Sequence, residues 1–108
     1  MTDIDQPPTS TERQQLESLD DTPHAHVFDG EPKTVRLSLA AGERVPAHRH
    51  PDREIVCFVV DGVLELTLGD ENYEVETGDV IRFDGAQEIE PTARTETTAL
   101  LVLAHRRE

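Results

Sequence analysis

HRHPDREIVCFVVDGVLELTLGD, residues 48–70, reads as two strands, the turn between them and a candidate site at their head. Glu54 to Val60 is an apolar run rich in β-branched residues, the pattern of a central strand. Asp61-Gly62 is a tight hairpin signal. Val63 to Leu68 then alternates through Leu64, Leu66 and Leu68, so one face of that strand is apolar. Ahead of the apolar run, His48 and His50 stand one residue apart, and an extended backbone sends both imidazoles to the same side. Glu54 follows four residues later, just past Pro51. Two imidazoles and a carboxylate from one short segment suit a borderline divalent metal, whereas a His-x-His pair alone is equally a solvated turn.

The pattern continues on both sides. Upstream, Thr34 to Ala40 alternates through Val35, Leu37 and Leu39, Ala41-Gly42 turns, and Arg44 to His50 is extended around Pro46, which suits an irregular or edge strand. Downstream, Asn72 to Glu76 and Val80 to Phe83 are short strands, separated by the Thr77-Gly78-Asp79 turn. Gln87 to Glu90 is short, polar and stopped by Pro91, and Thr97 to Ala104 closes the domain with an apolar strand. Strands this short, set off by Gly-Asp turns, predict an all-β antiparallel sandwich or barrel. His24-Ala25-His26-Val27-Phe28 is a second His-x-His, read as a first strand or pairing arm with a structural role, because no carboxylate follows at ligand spacing. Residues 1–22 form an acidic, flexible tail, in which Thr9-Ser10-Thr11-Glu12 matches a capping box for a short helix through Leu16 and Leu19. Residues 23–105 form one β domain.

The totals bound the function. A formal net charge of −13 argues against a nucleic-acid or anionic-membrane partner. No apolar run is long enough to span a membrane and the N-terminus has no signal-peptide pattern, so the expectation is a cytoplasmic protein. The single cysteine, Cys57, excludes an internal disulfide and a cysteine zinc cluster. No phosphate-cradling glycine loop and no G-x-S-x-G motif is present. Acid excess with Lys33 as the only lysine resembles the composition of salt-in halophiles, which implies a halophilic archaeal source. At 1 M salt a Debye length of roughly 3 Å screens the self-repulsion.

Gly42, His48-x-His50, Glu54 and Gly62 resemble the first motif of the cupins, and Thr77-Gly78-Asp79-Val80 with Asp84-Gly85 is similar to the start of the second. The resemblance spans about Val35 to Leu103 and implies a small jelly-roll barrel with a divalent metal (Fe, Mn, Ni or Zn) held by His48, His50 and Glu54. It also implies a small-molecule substrate or ligand, and a homodimer. The gap from Glu54 to Gly62 is one residue longer than the commonest family spacing; a bulge absorbs it, and either Glu54 or Ile55 then faces inward. Where the second motif supplies a histidine, this chain has Glu88. Glu88 replaces it as a ligand, or the first three residues bind alone, or the site has decayed. The resemblance thus implies a metal-dependent oxygenase or isomerase, or a non-catalytic cupin that binds a small molecule or senses a metal. No residue stands out as a catalytic base, so the sequence names no reaction.

Overall fold

A computed structural model describes residues 10–106; the expected tail at 1–8, the Thr9 cap and residues 107–108 lie outside them. The strands in chain order are β1 His24–His26, β2 Lys33–Leu39, β3 Arg53–Asp61, β4 Val63–Leu68, β5 Glu71–Glu76, β6 Val80–Asp84, β7 Ile89–Ala93 and β8 Thr97–His105. They form two antiparallel sheets, one ordered β1-β2-β8-β3-β6 and the other β5-β4-β7. The sheets pack as the sandwich of a jelly roll, so the all-β antiparallel expectation holds. Among the described residues, no helix is long and apolar enough to cross a membrane.

Alternation places the core. Leu64, Leu66 and Leu68 of β4 are buried, and they face Val35, Leu37 and Leu39 of β2 and Ile55, Cys57 and Val59 of β3 across one cluster. The ladder between β3 and β8 shifts register between Val59 and Asp61. A bulge there accommodates the extra residue before Gly62 and leaves Ile55, Cys57 and Val59 on the inner face.

Three local expectations are corrected. The short helix is a single 3₁₀ turn, Leu16–Ser18. Its two leucines offer too thin an apolar face, and its carbonyls have another partner. The buried Arg36 of β2 donates from Nη1 to Leu16 O at 2.7 Å and from Nη2 to Leu19 O at 3.2 Å and Asp21 O at 3.0 Å. This guanidinium pins the N-terminal segment against the outer face of the five-stranded sheet. Second, the expected strand at His24–Phe28 is shorter, three residues from His24 to His26. Third, the strand expected to stop before Pro91 runs through it. The Pro91 carbonyl accepts from Val45 N at 3.0 Å, so the missing proline N–H also faces that irregular segment and costs the β4 ladder nothing.

Arg36→Leu keeps the bulk and removes the three donors. At about 0.5 kcal/mol net for each bond, opening of residues 10–21 becomes roughly tenfold more favourable. Limited trypsin digestion should therefore cut at Arg13 about tenfold faster than in the parent. Equal cutting rates would show that the segment is held by something else.

Candidate functional site

Pro46 keeps residues 44–50 from forming a full strand, and the segment lies beside β7 through isolated bridges at Arg44–Thr92 and His48–Ile89. The backbone is extended enough that His48 and His50 still point the same way, with ring centroids 5.0 Å apart in an edge-to-face arrangement. Arg49, between them, turns outward and donates to the Ala86 carbonyl. His48 Nδ1 lies 2.9 Å from the Pro46 carbonyl. A carbonyl only accepts, so Nδ1 carries the proton and Nε2 is the lone-pair nitrogen of the neutral ring. His50 is set by its backbone, whose N–H donates to Gly85 O at 2.7 Å.

Both imidazoles line a cavity of about 390 Å³ between the two sheets. Its wall is apolar, with Leu37, Ile55, Leu66, Phe83 and Leu103 among the contributors. Its polar lining is His24, His26, His48, His50 and Lys33, and among the described residues no aspartate or glutamate takes part. The second His-x-His therefore belongs to the site, contrary to its structural reading from the sequence. His24 lies opposite Leu37 and His26 opposite Val35 in the β1–β2 ladder, and directly opposed residues share a face. Leu37 and Val35 face inward, so the two histidines lie on the same side, at the exposed rim of the cavity. Ala25 shares the other face with Arg36, under the N-terminal segment, which is why the small residue of β1 is the buried one.

Burial, followed by repulsion from His48, pulls the pKa of both His24 and His50 below the ordinary histidine value. In the unfolded chain these rings protonate as pH falls through about 6.5, while the folded ones resist. The unfolded state then binds more protons, so stability present above that pH is lost as pH falls toward the depressed folded values. Melting temperature in about 1 M KCl should drop between about pH 7.5 and about pH 5.5. The drop should be smaller in His24→Gln/His50→Gln, in which the carboxylate titrations are retained. Equal slopes would refute the assignment.

The structure brings together two of the four expected ligands. Glu54 lies on the outer face of β3 and approaches Arg82, Oε2 to Nε 3.9 Å; Ile55 takes the inward place. The cause is the register set by β8 and the bulge. Glu88 is exposed between β6 and β7, and its neighbour Ile89 lines the cavity instead. Cys57 also lines the cavity, and burial pushes its thiol up to about 12, so it is a neutral thiol at neutral pH. Among the described residues, no group of three or more His, Cys, Asp or Glu side chains is arranged to hold a metal ion. The two carboxylates expected as ligands therefore do not stand beside His48 and His50. Arg44 pairs with Glu90 and Arg53 with Glu31.

A family model described as a cupin domain matches residues 35–105. No curated protein matches the chain by sequence. Among solved structures, the cupin domain of Cnp3 from Schizosaccharomyces pombe superposes with a TM-score of 0.76 at 14% identity, covering 85% of this chain and 68% of that one. An RmlC-like cupin from Desulfovibrio desulfuricans gives 0.72 at 24% identity, covering 89% and 97%. A predicted oxalate decarboxylase from Thermotoga maritima gives 0.68 at 20%, covering 77% and 79%. At these identities the likeness carries the fold and no activity.

Proposed function

The chain belongs to the cupin domain family, and from that membership we propose that it is a ligand-binding cupin that holds a small organic molecule between its sheets without a resident metal. The observation that carries this reading is the cavity, which has an apolar wall, histidines at its polar part and, among the described residues, no carboxylate. Its volume is at the small end of the roughly 300–1,000 Å³ usual for small-molecule sites. The metal enzyme implied by the sequence joins Glu54 and Glu88 to His48 and His50, and both carboxylates lie away from the cavity. What the chain's own residues supply is an apolar enclosure and the Nε2 of His48, which accepts a hydrogen bond from a ligand or takes a proton from it. A cytoplasmic homodimer in a salt-rich interior is the setting this reading proposes. The acid excess supports the salt, and the adjacent exposed Phe58 and Val80 on the outer face of β3 and β6 support the dimer.

Two measurements on untagged protein, purified in high salt without chelator, test the reading. Elemental analysis should find no stoichiometric metal, and EDTA should leave the melting temperature unchanged. Hexan-1-ol, a neutral apolar probe, should raise the melting temperature by binding the folded state alone. Metal near one per chain, lost in His48→Ala/His50→Ala, would overturn the proposal and restore the metal enzyme.

A further inference from the structure

In a chain with a formal net charge of −13, the cavity lining carries the positive charge of Lys33 among four imidazoles. Four of the five histidines and the only lysine line this space, and among the described residues no aspartate or glutamate does. Lys33 and the two β1 histidines all have inward register, opposite Leu103, Leu37 and Val35. Among the described residues, no carboxylate forms an ion pair with His24, His26 or Lys33. The acid nearest in sequence, Glu31, accepts from the Lys33 backbone N–H, but Arg53 occupies both of its oxygens, at 2.9 and 3.2 Å. The positive end of the cavity is therefore left without a protein counter-charge.

We propose that the cavity binds a monocarboxylic acid with an apolar body, its carboxylate held by His24, His26 and Lys33 and its body enclosed by the apolar wall. The proposal deepens the ligand-binding reading and rests on it. The chemistry follows from the lining: a carboxylate takes the ammonium of Lys33 as a charge-assisted partner and imidazole N–H groups as further donors. A cation meets only positive or neutral groups there, and a neutral molecule leaves Lys33 without a partner. The overall negative charge does not prevent this. Screening reduces distant repulsion beyond roughly 10 Å at 0.1 M salt, so the groups in contact with the ligand decide its sign. His24, His26 and Lys33 all precede residue 35, where the family match begins, so this selectivity rests on β1 and the first residue of β2, outside the matched segment.

The test is calorimetric titration of the full chain with hexanoate, hexan-1-ol and hexylamine at constant salt and neutral pH. A second protein, His24→Gln/His26→Gln/Lys33→Gln, is titrated in parallel. Its substitutions fall on residues that are not fully buried, and circular dichroism with melting temperature confirms that it folds. Hexanoate should bind at least about tenfold more tightly than hexan-1-ol, and hexylamine weakest. The triple variant should lose that tenfold preference, its affinities for hexanoate and hexan-1-ol converging; an unchanged preference overturns the assignment of the carboxylate to these three residues. If hexan-1-ol and hexanoate bind equally to the parent, the cavity reading stands and the acid selectivity is wrong. Preference for hexylamine also overturns it. If none of the three binds, the cavity reading itself has failed.

Discussion

Gly62→Ala should cost about 4 kcal/mol of stability and lower the melting temperature by roughly 20 °C. Gly62 has φ of +107°, a region that L residues adopt only under strain. A Cβ built there would lie 2.4 Å from Glu96 O and 2.8 Å from Thr97 Cα, both backbone atoms at the head of β8. Strain of about 1–3 kcal/mol adds to overpacking of about 1–3 kcal/mol. Neither is easily relieved, because the turn links β3 in one sheet to β4 in the other and Thr77 bonds it from Gly62 N and O. Gly78→Ala isolates the two contributions: Gly78 has φ of +91° but nothing within 4 Å of its built Cβ. Urea denaturation should give that control only the strain cost, about half the loss of Gly62→Ala. Equal losses would show that the crowding at Gly62 relaxes freely.

Gly85→Ala should cost about 3 kcal/mol by overpacking and, beyond that, abolish the hexan-1-ol stabilisation. Its built Cβ would lie 2.4 Å from His50 O and 2.7 Å from Arg53 O. Those carbonyls belong to the turn that follows the histidine pair, and the same glycine exchanges backbone bonds with it, His50 N to Gly85 O and Gly85 N to Arg53 O. A methyl group here pushes the turn away and takes His50 with it. Loss of stability with the probe response retained would show that the turn and the cavity are uncoupled. Retention of both would show that the close approach is absent in solution.

The resemblance to cupins was legible because its marks are local. Gly62 and Gly85 stand where a side chain would meet backbone, and both lie in the turns that the sequence marks as Asp-Gly. His48 and His50 share a side because they are one residue apart on extended backbone, whatever the neighbouring strands do. The ligand set was not legible to the same depth. The notice taken of Ile55 as an alternative to Glu54 came from counting one residue too many before Gly62, and counting does not say where the bulge falls. The structural reading of His24 and His26 rests on the lack of a carboxylate at ligand spacing after them. The usable signal was their parity, which matters only once β1 is paired with β2 in a known register.

Composition, strand periods, turn positions and the side shared by His48 and His50 came from the sequence alone, since each depends on a few consecutive residues and the alternation of an extended chain. The inward place of Ile55, the outward places of Glu54 and Glu88, and the meeting of the two histidine pairs came only from the tertiary structure. Each depends on which strands lie side by side and in what register, and one unpaired residue near Val59–Asp61 sets the inward face of β3. Register is fixed by long-range pairing and core burial, so the same seven residues, His48 to Glu54, can present two ligands or three.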